Sequence, residues 1–268
     1  MQSKIGFIGC GNMASAMIRG IANSNLISPE CIIASNPTEE KLIKIKEETG
    51  IMVTQDNLEV AKFSNIIVLA VKPNKYKDVI EEIKDNINEN TIIITIAAGI
   101  SISKAEELFG WDIKLIRTMP NTPALVGEGM SALCGNEYVT EEDIKKVMKI
   151  FKCFGKVEVV EEKDIDTIIG LTGSSPAYVY MFIEALADGA VLKGLPRQKA
   201  YKLAAQAVYG SAKMVLETGK HPGELKDDVC SPGGTTIEAV YSLEKSGFRA
   251  AVIEAMGTCV EKAKNMNK

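Results

Sequence analysis

The chain has a single histidine, His221, and its six cysteines form no C-x-x-C pair. With no clustered Cys, His or carboxylate ligands, a metal site is not expected. The cysteines (Cys10, Cys31, Cys134, Cys153, Cys230, Cys259) are scattered, three of them in apolar stretches where a thiol behaves as a small hydrophobe. That pattern speaks against a disulfide framework and fits a reducing cytoplasm. Lys/Arg clusters are also missing and the net charge is −4, which argues against nucleic acid or an anionic membrane as partner. The longest strongly apolar run, residues 66–71, is far too short to span a bilayer. Met1-Gln2-Ser3-Lys4 runs straight into a strand pattern, so no signal peptide is expected. What remains is ordinary globular composition, 46% hydrophobic and 25% charged, and 268 residues suffice for one large domain or two modest ones.

Two halves differ in periodicity. Residues 4–9, 31–35, 65–71, 91–97 and 114–118 are apolar and mostly β-branched, and each is followed by a loop or an amphipathic segment. Strands buried on both faces of a parallel sheet read this way. Residues 129–134 and 157–160 are expected as edge strands around a helix over 141–154. The first half is therefore an α/β, doubly wound sheet. From about Asp164 the strand signal vanishes. Val179, Phe182, Ile183 and Leu186 mark one helix face, and Leu203, Ala207, Gly210 and Met214 mark another. Gly194-Leu195-Pro196 separates the two helices, and Gly219 with Pro222 closes the second. The expected division is 1–163 for a dinucleotide-binding domain and 164–268 for an all-helical one. About 105 helical residues are few to stand alone, so a second subunit is expected to cover them.

Gly9-Cys10-Gly11-Asn12-Met13-Ala14 follows the first strand and opens a helix, the context in which a G-x-G-x-x-A run binds a dinucleotide. The first glycine makes the tight turn, the second admits the pyrophosphate, and Ala14 lets the helix pack closely. At the tip of the second strand stands Ala34-Ser35-Asn36-Pro37-Thr38, without the acid that holds a ribose 2′-hydroxyl. Ser, Asn and Thr donate hydrogen bonds to a 2′-phosphate, so NADP(H) is preferred over NAD(H). Val71-Lys72-Pro73 and Ala97-Ala98-Gly99 end later strands, where a doubly wound sheet binds its ligand. Lys72 reads more readily as a solvated or phosphate-side charge than as a base. Met119-Pro120-Asn121-Thr122-Pro123 reads either as a rigid exit loop or as a wall beside the nicotinamide.

Near the other end, residues 221–236 read HPGELKDDVCSPGGTT. A Pro-Gly turn running into Ile237-Glu238-Ala239-Val240 aims several N–H groups at one spot, where a helix dipole favours a carboxylate. The plain alternative is an ordinary helix start with Thr as N-cap. His221 precedes Pro222 at a helix start, which favours a structural role.

With GFIGCGNMASAM at the start, LAVKP at 69–73, RTMPNTPALVGEGMSAL at 117–133, LTGSSPAYVYMFIEALADGAVLKGLPR at 171–197 and the 221–236 block, the chain resembles pyrroline-5-carboxylate reductases over essentially its whole length. The resemblance implies NAD(P)H-dependent reduction of a cyclic imine, 1-pyrroline-5-carboxylate, to L-proline. It implies a Rossmann domain and a helical domain that forms an intertwined dimer, often assembled into decamers, with the active site between the cofactor and helices of two protomers. It places Asn57, after the third strand, toward the 2′-phosphate, and Val71, Lys72, Ala97, Met119, Pro120 and Asn121 along the ribose and nicotinamide. With Gly9, Gly11, Asn12, Met13, Ser35, Asn36 and Ala70 these complete the expected cofactor set. Gly233, Gly234, Thr235 and Thr236 form the substrate turn, with Val229 beside the ring and the Thr236 hydroxyl as the catalytic candidate. Gly219 stands where some relatives carry an acid, so that role does not transfer. Two rivals remain. A hydroxyacid-dehydrogenase-type reductase would need an interdomain Lys, which residues 170–180 lack. An NADP-binding sensor would have no need of the Gly-Gly-Thr-Thr turn.

Overall fold

The computed structural model describes residues 3–266. Met1 and Gln2, the first residues of the stretch read as lacking a signal peptide, lie outside them. The chain divides into two compact units, residues 1–174 with 259–268, and residues 175–258.

The first unit is an eight-stranded sheet: β1 (Ile5–Ile8), β2 (Ile32–Ser35), β3 (Met52–Thr54), β4 (Ile66–Leu69), β5 (Ile92–Thr95), β6 (Lys114–Met119), β7 (Gly129–Gly135) and β8 (Gly155–Val159). Strand order is 3-2-1-4-5-6-7-8, so the order reverses between β1 and β4. Side chains alternate between two apolar layers. Ile5, Phe7, Ile66 and Val68 face α1 (Asn12–Asn23), α2 (Glu39–Thr49) and α6 (Glu141–Phe151). Ile8, Ile67, Leu69 and Ile93 face α3 (Asn57–Phe63), α4 (Tyr76–Ile83), α5 (Ile102–Phe109) and the short α7 (Ile165–Ile168). Burial on both faces is why these strands read as continuous apolar runs. β8 lies at the sheet edge as expected. β7 does not: it sits between β6, to which it runs antiparallel, and β8, to which it runs parallel.

The compact units divide at 174/175 rather than at 163/164. Ile165 and Ile169 are buried in the layer beneath α5, and an ion-pair cluster ties their segment to the sheet. Arg117 of β6, 3% exposed, donates to Glu162 at 3.2 Å and to Asp166 at 2.9 Å. Glu162 also accepts from the Ile102 N–H at 2.7 Å. Loss of the strand signal marks the end of the strands, not the end of the unit.

The second unit holds α8 (Ser175–Leu192), α9 (Arg197–Thr218), α10 (Pro222–Val229), α11 (Thr235–Lys245) and most of α12 (Phe248–Met266). Gly194 (φ +92) turns between α8 and α9, and Gly219 (φ +64) ends α9 in the left-handed region where glycine is favoured. Within residues 175–258 the buried side chains are Ala187, Ala200 and Ala204, while Met181, Leu192, Leu216 and Ile253 stand more than two-thirds exposed.

Replacing Arg117 with Met leaves Glu162 and Asp166 without their buried cation. The expected cost is about 3–5 kcal/mol, read as a lowered urea midpoint.

Candidate active site

At the order reversal the tips of three strands are tied together. Gly9 donates its N–H to the Ser35 carbonyl at 2.9 Å, and the Ala70 N–H donates to the Ile8 carbonyl at 2.8 Å. Gly9 has φ +96, and a Cβ there would lie 2.6 Å from the Ala70 carbonyl oxygen. The fold itself requires this glycine. Gly11 is different: its φ of −83 suits any residue, and nothing lies within 4 Å of where its Cβ would be. It is the N-cap of α1 and no side chain caps that helix, while Ala14 is buried against the sheet. An open glycine at an uncapped helix N-terminus fits a closely approaching pyrophosphate.

The second-strand tip is built otherwise than expected. Ser35 is fully buried and its hydroxyl donates to Asn57 Oδ1 at 2.7 Å, so it is not a donor to a ligand. Asn57, first residue of α3 rather than a loop residue, donates in turn to Glu82 at 2.8 Å. Asn36 accepts the Cys10 N–H at 3.2 Å, which clamps the 36–38 turn onto the glycine loop. Burial pushes the Cys10 thiol above its ordinary pKa, against the opposite pull of Ser15, Arg19 and Lys41.

Along the remaining strand ends, Asn12 and Lys72 are exposed, Met13, Ala70 and Val71 are half-buried, and Ala97, Met119 and Pro120 are buried. Asn121 serves the fold: it donates to the Thr172 carbonyl at 2.9 Å and accepts the Met130 N–H at 2.8 Å. Its amide pins the exit loop of β6 to β7 and to the π-helical turn Ile169–Gly173. Ser174, in the stretch where a rival would carry a lysine, is the acceptor of the Cys259 thiol at 3.1 Å.

In the second unit, Ser231-Pro232-Gly233-Gly234 is a tight turn closed by the Gly234 N–H on the Ser231 carbonyl at 3.0 Å, with Gly233 at φ +68. Proline at the second position and a positive-φ glycine at the third are what a type II turn asks for. The N-cap of α11 is Gly234, not a threonine, and no side chain caps the helix. Gly234 has therefore committed its N–H, and the first-turn donors belong to Thr235, Thr236 and Ile237. Thr235 is exposed and Thr236 half-buried; neither hydroxyl has a hydrogen-bond partner among the described residues. Val229 ends α10 and is 64% exposed. His221 caps α10, its Nδ1 accepting the Gly223 N–H at 3.0 Å, which is the structural role its place before Pro222 suggested. Among the described residues no group of His, Cys, Asp and Glu is placed to hold a metal ion.

Sequence reading passed over Lys41 and Lys44. They line a cavity of about 450 Å³ with Gly11 and Asn12 of the glycine loop. The available signal was their i, i+3 spacing on α2, one turn beyond the 36–38 turn.

Two family models match the chain. One, described as pyrroline-5-carboxylate reductase dimerisation, matches residues 162–266, and the other, NADP oxidoreductase coenzyme F420-dependent, matches residues 4–99. The pyrroline-5-carboxylate reductase of Escherichia coli K12 is 52% identical over 268 residues, covering all of both chains. The chain belongs to the pyrroline-5-carboxylate reductase family. Among solved structures, the Coxiella burnetii family member superposes with a TM-score of 0.93 at 37% identity, covering all of both chains. The Plasmodium falciparum one, described with NADP bound, has a TM-score of 0.90 at 39% identity and covers 99% of this chain and 98% of its own. These reductases share the α/β, N-terminal Rossmann-type sheet with a C-terminal helical dimerisation segment.

The two loop glycines make a contrasting pair. Gly11→Ala is expected to fold within about 0.5 kcal/mol of the parent yet raise the KM for the dinucleotide, whereas Gly9→Ala loses stability outright. Thermal melts beside cofactor titrations check both.

Proposed function

We propose that the chain reduces 1-pyrroline-5-carboxylate to L-proline, using NADP(H) in preference to NAD(H), with Thr236 as the catalytic residue. Bound NADPH would supply the hydride to the carbon of the ring C=N, whose nitrogen, protonated from solvent, becomes the amine. The chain's own part is to hold the imine in near-attack geometry and exclude water. The observation that carries the substrate assignment is the uncapped N-terminus of α11, with its donors from Thr235, Thr236 and Ile237 and two unpartnered hydroxyls. In this reading the first-turn N–H groups bind the substrate carboxylate. Gly233 and Gly234 shape the turn, and Val229 packs beside the ring. The Thr236 hydroxyl hydrogen-bonds the ring nitrogen and orients it; a threonine hydroxyl is far too weak an acid to protonate the imine unaided.

Gly9, Gly11, Asn12 and Met13 cradle the pyrophosphate. Ala70, Val71, Lys72, Ala97, Met119 and Pro120 follow the ribose and nicotinamide. Asn36 and Asn57 face the adenosine side, and Asn121 acts by fixing the loop rather than by touching the ligand. The reading includes a cytoplasmic enzyme, supported by six free cysteines, and a homodimer unit assembled to a decamer, supported by the uncovered apolar side chains of α8, α9 and α12.

Thr236→Ala is expected to lower kcat/KM for pyrroline-5-carboxylate about tenfold, the loss of one orienting hydrogen bond, with Thr236→Ser retaining most of it. An unchanged kcat/KM in Thr236→Ala sinks the assignment. Light scattering on the purified protein is expected to give ten times the chain mass, and twice the chain mass overturns the decamer.

A further inference from the structure

We infer that Lys41, assisted by Lys44, is the cation that receives the 2′-phosphate of NADPH and sets the preference for it over NADH. The inference rests on the NADP(H) reading above and names the residues behind it. The cavity beside the glycine loop is walled by Cys10, Gly11, Asn12 and Ser15 on one side and by Lys41 and Lys44 on the other. Its lining holds three cationic side chains and no carboxylate. One of the three, Arg19, is engaged by Glu48 at 2.6 Å. Lys41 and Lys44 form no ion pair among the described residues.

The position of Lys41 argues in the same direction. It is the third residue of α2, where the helix dipole favours acids such as its neighbours Glu39 and Glu40. A first-turn cation gains nothing from the helix. Side chains in a helix lean toward its N-terminus, which sends the Lys41 stem back toward the 36–38 turn that Asn36 clamps onto Cys10. The adenosine ribose of a dinucleotide lies beside that turn. Several other donors at this strand tip are already engaged: Ser35 with Asn57, one Asn36 amide hydrogen with the Thr38 carbonyl, and one Asn57 amide hydrogen with Glu82. An ammonium is a sufficient phosphate ligand as a point charge.

Calorimetric binding of 2′,5′-ADP against 5′-AMP, alongside initial rates with NADPH and NADH, tests the assignment. The 2′,5′-compound carries the extra phosphate and nothing else. In the double variant Lys41→Gln, Lys44→Gln the affinity for 2′,5′-ADP is expected to fall about 10–100-fold, with a change under threefold for 5′-AMP. Lys41→Gln alone gives the larger share, and Lys46→Gln, in the last turn of the same helix, leaves the ratio unchanged. If the double variant discriminates as well as the parent, the cofactor reading stands and the role of the lysines is overturned. If the parent itself binds both nucleotides equally and uses NADH as readily as NADPH, the cofactor reading fails and the inference falls with it.

Discussion

The turn at Gly9 is the constraint on which the nucleotide end depends. Its positive φ brings β1 to an end where the backbone of β4 is closest, and the space beside the Ala70 carbonyl admits no side chain. Its N–H, given to Ser35, fixes the tip of β2 against β1. With the three tips locked, the following residues enter α1 with free N–H groups facing outward above the order reversal. Gly11 then stands where no protein atom competes with a ligand. One residue thus sets both the strand register and the anion site, which is why its substitution is a matter of folding while that of Gly11 is a matter of binding.

Much of this was readable from the chain alone, for physical reasons that also mark where reading stops. The strands announced themselves because burial on both faces removes polar residues from them. The α8–α9 hairpin did so because Gly194, Pro196 and Gly219 occupy the positions where helices need punctuation. Strand direction leaves no such mark: an apolar run reads the same parallel or antiparallel, and so β7 was placed at an edge when it is enclosed. The division of the compact units at 174/175 leaves no such mark either. Arg117 reaches across 45 and 49 residues to Glu162 and Asp166, and a pairing of that span has no local signature.

Site residues divide along the same line. Residue type says which groups can donate, and the fold decides which remain free to do so. Ser35, Gly234 and Asn121 all have suitable donors, and the protein uses all three for itself, as a buried polar group must be satisfied somewhere. The free donors lie one residue further on, at Thr235 and Thr236. Lys41 and Lys44 went unnoticed for the opposite reason: scanning the turn at 36–38 for a cation misses side chains that return to it from the next helical turn.

The second unit ties association to stability. Three alanines are the buried side chains of residues 175–258, and alanine removes little apolar surface from water. Covering a leucine or methionine is worth about 1.5–3 kcal/mol, so the exposed side chains of α8, α9 and α12 hold further stabilisation that a partner can supply. For a dimerisation segment that balance makes partner binding part of folding, and stability then rises with protomer concentration. The α11 turn belongs to this unit, and in the proposed reading its first-turn donors orient a carboxylate only as well as the helix beneath them is held. A loosened dimer should therefore lose substrate affinity through α11 before it loses dinucleotide affinity, because the glycine loop is anchored in a sheet whose core is complete within one chain.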